Sequence, residues 1–157
     1  VVTGSRLARD PNAIAPSPIQ TVTLQDVRGT GQADVAETLR EIPALLSSST
    51  LTDSVERGAV GGFASTGQAV LNLRGLGANR TLVLVNGRRH IAGVAGTQAV
   101  DIATIPRALI ESVDVLTGGA SSVYGADAVT GVVNFKLRDR FDGIEVNAQT
   151  GISDRGD

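Results

Sequence analysis

The residues best equipped for chemistry are few and scattered. His90 is the only histidine, and it follows Arg88 and Arg89 directly in GRRHIAG. Triad hydrolysis needs a nucleophile held against such a base, and no Gly-x-Ser-x-Gly elbow is present to hold one. In GFASTGQA, residues 62–69, the glycine spacing is that of a phosphate-cradling loop. Gln68 and Ala69 stand where that loop needs a lysine and a hydroxyl residue, so the phosphate charge would have no partner. GLGANR, residues 75–80, lacks the third glycine of a dinucleotide fingerprint. Asp139 and Asp142 do not have calcium-loop spacing and suit a solvated turn. Glu111 and Asp114 flank a strand start, where structural pairing with arginine is the expected role. No catalytic residue, metal site or cofactor site emerges.

The stretch GGASSVYGADAVTGVVNF, residues 118–135, admits three readings: phosphate loop, hinge or tight packing motif. It holds four glycines and the only tyrosine, Tyr124. Its wording suits one helical turn at ASSVY, a left-handed cap at Gly125, and close backbone approach at Gly131. Tyr124 would pack its ring inward and hold a neighbouring loop with its hydroxyl.

Composition bounds the rest. The chain has 157 residues, a net charge of −2 and no cysteine, which excludes disulfides and gives no basic nucleic-acid surface. Four aromatic residues leave the core to Val, Leu, Ile and Ala, while 19 glycines loosen the backbone. A thin aliphatic core of this kind gains support from a partner. Nearly all positive charge is arginine, which suits bidentate pairing at interfaces, although codon bias gives the same composition. No apolar run reaches the length of a membrane-spanning helix. With Val1 first and no methionine, a processed or excised piece is the expectation.

The elements that must position these residues follow from periodicity. Residues 18–24 (PIQTVTL) alternate as a strand. Residues 33–43 place Val35, Leu39 and Ile42 on one helical face, with Pro43 as the stop. Residues 47–69 form a long Gly/Ser loop. VLNLRG (70–75) and TLVLVNGRR (81–89) read as strands, the second carrying a type I′ hairpin turn at Asn86-Gly87. TIPRALIE (104–111) has the signature of a short helix capped by Thr104, and strands follow at 111–116 and 131–138. In residues 144–152, alternating apolar and polar positions fit an ordinary strand or a barrel strand of about 9–11 residues.

The order of these pieces resembles the plug domain of TonB-dependent outer-membrane receptors. The motifs that carry the resemblance are VVTG at residues 1–4, LREIPALL at 39–46, LNLRGLGANRTLVLVNGRR at 71–89, and IPRALIESVDVLTGGASSVYGADAVTGVVNF at 105–135. Two positions depart mildly from the pattern: Gly119, where proline is common, and Asp114, where glutamate is frequent. The resemblance implies an α+β fold, a small mixed β-sheet with short helices and long loops, lodged in a barrel of about 22 strands. It divides the chain into a TonB-box remnant and linker at 1–10, a plug at 11–140, and the truncated first barrel strand at 141–157.

The resemblance also implies a function: gating the import of a scarce nutrient across the outer membrane of a Gram-negative bacterium. The nutrient would be a ferric siderophore or other iron chelate, cobalamin, a carbohydrate or a peptide. The partners would be TonB, the protein's own β-barrel and that small ligand. Val1, Val2 and Thr3 match the end of the box that TonB grips, where β-branched residues suit strand addition. Substrate-facing loops would carry Thr66, Gln68, Arg88, Arg89, His90 and Gln98, with the arginines alternatively paired to the barrel wall. Arg74, Glu111, Tyr124, Gly125 and Gly131 would be structural or wall-pairing. The competing class is a stand-alone soluble periplasmic binding domain whose last strand joins its own sheet.

Overall fold

The computed structural model describes residues 19–23, 35–51, 67–93, 96–118 and 120–140. Among the described residues, runs rich in β-branched and aliphatic residues form four strands, β1 (Ile19–Thr23), β2 (Thr81–Val85), β4 (Ile110–Thr117) and β5 (Gly131–Leu137), and the hairpin turn adds a fifth, the arginine pair β3 (Arg88–Arg89). They make one mixed sheet in the order β1-β4-β5-β2-β3. Only β2 and β5 run parallel; the other neighbours are antiparallel. Register is tight because successive side chains alternate between two faces, so a one-residue slip would exchange them.

The first face is aliphatic. Val83, Val113, Val115, Val133 and Phe135 meet a cover made by Val35, Ala36 and Leu39 of α1 (Val35–Arg40), with Ile42, Leu45, Leu71, Leu73, Val100 and Ile102. Pro43 ends the helix as expected and opens a 3-10 turn at Pro43–Leu45, where its missing N–H costs nothing. The second face is divided. Leu82, Leu84, Leu116 and Val132 lie under Ala120, Tyr124 and Ala128, contributed by α2 (Ser121–Tyr124) and the 3-10 turn Ala126–Ala128. Beyond that cover, towards β1, the same face carries Thr21, Thr23, Ser112, Asp114, Asn134 and Lys136, by alternation along the strands and the pairings Thr21↔Asp114 and Asp114↔Asn134.

Two expectations fail. Residues 70–75 are not a strand: Val70 bridges singly to Ser49 and Asp101, and a 3-10 turn follows at Leu73–Gly75. Arg74 (φ 57°) and Gly75 (φ 70°) both take positive φ, which bends the chain away from any ladder. The helix at 104–111 is also absent. Its span opens on the last residue of one 3-10 turn, Ile102–Thr104, and holds another, Arg107–Leu109, while Ile105 and Pro106 stay extended and Ile110 and Glu111 already belong to β4. Proline restricts the residue before it to extended backbone, which splits the segment at Ile105. The cap is Asp101, whose carboxylate accepts from Ala103 N, rather than Thr104.

Candidate functional site

The hairpin β2–β3 organises the site. Asn86 (φ 49°) and Gly87 (φ 76°) both have positive φ, the type I′ condition, and this places Val85 opposite Arg88 and Leu84 opposite Arg89. Side chains then fasten the turn to β5. Asn86 Oδ1 accepts from Leu137 N (2.8 Å), and Asn134 Oδ1 accepts from Gly87 N (3.0 Å). Asn86 N donates to Phe135 O at 2.8 Å. The hairpin tip is thereby fixed to the sheet before its loop begins.

The loop after β3 folds back on a second segment. His90 N donates to Val83 O (3.2 Å), and the His90 ring Nδ1 lies 3.1 Å from Ile91 O. Gly93 N donates to Ala99 O (2.9 Å), while Gly93 O accepts from Gln68 Nε2 (3.1 Å). A side chain at Gly93 would meet Asp101 Cβ at 2.8 Å, so glycine permits this approach. Asp101 Oδ1 accepts from both Ala69 N (3.0 Å) and Ala103 N (3.1 Å). Gln98 N donates to Asn79 Oδ1 (3.1 Å). Gln68 thereby meets, at Gly93, the loop that carries both His90 and Gln98, while His90 and Gln98 keep separate hydrogen-bond partners. The carboxamide oxygen Gln68 Oε1 is buried without a partner among the described residues.

Arg89 was expected to face ligand or barrel wall, but its guanidinium is engaged inside the chain. Nη1 donates to Asp127 Oδ2 and Nη2 to the carbonyl oxygen of Tyr124. That carbonyl closes the single turn of α2, an end that attracts a cation. Arg88 is exposed and has no side-chain partner among the described residues.

Gly125 follows Tyr124 with φ 90° and ψ −173°, not the left-handed cap expected but an extended positive-φ conformation open essentially to glycine alone. The Tyr124 ring is half-buried against the apolar part of the second face.

The remaining site candidates lie elsewhere. Arg74 sits exposed in the turn after Leu73, and Glu111 is exposed at the start of β4. Gly131 opens β5 with φ 146°, where a Cβ would fall 2.2 Å from Leu116 O and 2.9 Å from Leu73 Cδ1. Val1, Val2, Thr3 and Thr66, together with the segment 144–152, lie outside the described residues.

Two polar groupings were not foreseen. Asp114, expected to pair with arginine, instead meets Lys136 Nζ at 2.8 Å and accepts from Thr21 Oγ1 at 2.9 Å. The Asp114 side chain is 5% exposed and that of Lys136 36%. The second grouping centres on Thr81 Oγ1, which accepts from Leu73 N (3.0 Å) and lies 3.2 Å from Thr130 Oγ1. Thr130 Oγ1 donates to Arg80 O (2.8 Å), so the one Thr81 hydroxyl proton serves two acceptors, Thr130 Oγ1 and Gly77 O at 3.4 Å. Among the described residues no group of three or more acidic, histidine or cysteine side chains could hold a metal ion.

A family model described as TonB-dependent Receptor Plug Domain matches residues 11–132. Solved structures share the fold. The siderophore receptor PirA of Pseudomonas aeruginosa is 25% identical with a TM-score of 0.54, over 82% of this chain and 19% of that one. FpvA of P. aeruginosa, solved with a heterologous ferric pyoverdine, is 21% identical with a TM-score of 0.58, over 87% and 16%. The ferric enterobactin receptor PfeA, in complex with BCV-L6, is 23% identical with a TM-score of 0.55, over 79% and 18%. The chain thus spans less than a fifth of the length of each of these receptors.

Proposed function

Because the chain belongs to the TonB-dependent receptor plug domain family, we propose that it gates a barrel lumen in the outer membrane of a Gram-negative bacterium, admitting a scarce nutrient when TonB pulls. Residues 1–10 hold the end of the TonB box, residues 11–140 form the plug, and 141–157 begin the barrel. The cargo class is an iron chelate, in keeping with the siderophore and enterobactin receptors that share the fold. The observation that supports a ligand surface is the meeting of residues 67–69 with the loop 90–98 through Gln68 Nε2 and Gly93 O. There Gln68 Oε1 offers a buried, unused acceptor, and Arg88 and His90 offer positive or hydrogen-bonding groups to an anionic chelate. Gln98, on the same loop, extends that surface. Arg89 acts behind it, by holding the root of the loop.

TonB would grip Val1, Val2 and Thr3 by strand addition, where backbone hydrogen bonds supply affinity with little demand on sequence. Arg74 and Glu111, both exposed, are the residues offered to the barrel wall. The test is made in the full receptor. Scrambling residues 1–3 abolishes energised uptake of the iron chelate while surface binding persists. Uptake that survives the scramble puts the box elsewhere.

A further inference from the structure

We propose that Thr21, Asp114 and Lys136 form a cross-strand tie that makes the plug resist a pull from its N-terminal side in shear. The proposal rests on the reading above, in which force enters before β1 and the barrel follows β5.

The topology sets the geometry of loading. Among the described residues β1 is an edge strand of the sheet with β4 as its one strand neighbour, and four of its five residues are exposed. Ile19, where β1 begins, pairs with Leu116, which in turn pairs with Val132 near the start of β5. β1 and β5 therefore run in the same direction, with β4 antiparallel between them. The pulled end, Ile19, and the anchored end, Leu137, lie at opposite ends of the sheet. Five residues from Val132 to Leu137 span about 17 Å, against about 10 Å for two interstrand spacings. The line joining the two attachments thus lies within about 30° of the strand axis. Force along that line loads all the pairs from Ile19↔Leu116 to Thr23↔Ser112 together instead of opening them in turn.

The tie crosses the same three strands. Thr21 is the middle residue of β1, and its hydroxyl donates to Asp114 Oδ1 at 2.9 Å. The other carboxylate oxygen of Asp114 meets Lys136 Nζ of β5 at 2.8 Å. Pulled strand, central strand and anchored strand are joined through one carboxylate that is 5% exposed, where charge-assisted hydrogen bonds are strong. When β1 slides, this link breaks together with the ladder.

The test is single-molecule pulling on the full receptor with the barrel immobilised. One handle is placed at the N-terminus and, in a second preparation, one at Thr23→Cys. Thr23 lies at the Leu137 end of the sheet, since it pairs with Ser112 and Ser112 pairs with Lys136. Pulling from there peels β1 pair by pair. The first plug rupture needs a several-fold higher force from the N-terminal handle than from the Thr23 handle. Thr21→Val shortens the lifetime of β1 under N-terminal load about tenfold, the loss of one hydrogen bond to a charged group. Gln20→Val, which alters the other face of the same strand, leaves it unchanged. Equal forces from the two handles overturn the shear geometry. An unaltered lifetime in Thr21→Val, with shear intact, overturns the tie. The handle comparison leaves Thr21, Asp114 and Lys136 untouched, so it decides the geometry even where a substituted sheet misfolds. A box scramble that spared uptake would remove the reading above without changing the force ratio.

Discussion

One face of the sheet is closed by aliphatic side chains from three separate stretches of chain, while the other has a small cover and a set of paired polar groups. On the first, Phe135, Val113 and Val133 are fully buried beneath Leu39, Leu45 and Leu73. Packing of this kind is non-directional and cumulative, so no single contact decides it. On the second, Leu82, Leu84, Leu116 and Val132 are covered by a four-residue helix and one 3-10 turn. The rest depends on Asp114 with its two partners and on Arg89 reaching across from β3. Directional links can be broken singly, so the second face is the one built to change.

The largest test lies where the two faces meet. A Cβ on Gly131 would overlap Leu116 O at 2.2 Å and press on Leu73 Cδ1 at 2.9 Å, one contact belonging to each cluster. Its φ of 146° adds strain for any other residue. Gly131→Ala should therefore destabilise the chain by about 3–5 kcal/mol, measured by denaturant unfolding, and loosen both faces together. A loss below about 1 kcal/mol would mean that β4 and β5 can part without consequence, and the contrast between the faces would lose its common hinge.

A smaller effect separates the two kinds of bonding. Asp114→Ala leaves the Lys136 ammonium and the Thr21 hydroxyl without their acceptor, and should cost about 1–3 kcal/mol. The value stays below that of a fully buried pair because Lys136 remains 36% exposed and partly solvated. Lys136→Met leaves a buried carboxylate and should fall in the same range of about 1–3 kcal/mol. Asp114→Ala combined with Lys136→Met should cost clearly less than the sum of the singles, because the double change removes both charges. Additive losses in that unfolding cycle would show that the second face, too, is held by packing alone.

How much of this was legible depends on the range of the interaction. α1 could be read because Val35, Leu39 and Ile42 repeat at helical spacing, and the hairpin because Asn86-Gly87 carries its own turn preference. Residues 70–75 misled because Val70, Leu71 and Leu73 are buried as a strand would be, while Arg74 takes a left-handed conformation that no local pattern announces. In TIPRALIE a proline near the start suits a first helical turn, although Pro106 restricts Ile105 to extended backbone and divides the segment. The polar links were out of reach for another reason. Thr21 and Asp114 are 93 positions apart and Arg89 and Asp127 are 38 apart, so each link exists only once sheet register is set. The convergence of Gln68 with Gly93 is of the same kind.

The smallest effect expected is at Arg89, and it is local. Its guanidinium is half-exposed, so the ion pair with Asp127 is screened and should contribute only about 0–1 kcal/mol to global stability. The geometry gives it a larger part in holding the cover down. β3 has two residues and two register pairs, and Arg89 is the side chain that ties this edge to the turn after α2. Arg89→Ala should leave the unfolding midpoint nearly unchanged while amide exchange quickens at Val123, Tyr124, Gly125 and Ala128. Those amides donate to Ala120, Ser121 and Gly125 carbonyls within the cover itself. Exchange in β4 and β5 should be unaltered, because their ladder does not involve Arg89. Added salt should reproduce part of the effect in the unsubstituted chain, as expected for an exposed pair. If exchange instead quickened throughout β5, Arg89 would belong to the core of the sheet, and the second face would be as cooperative as the first.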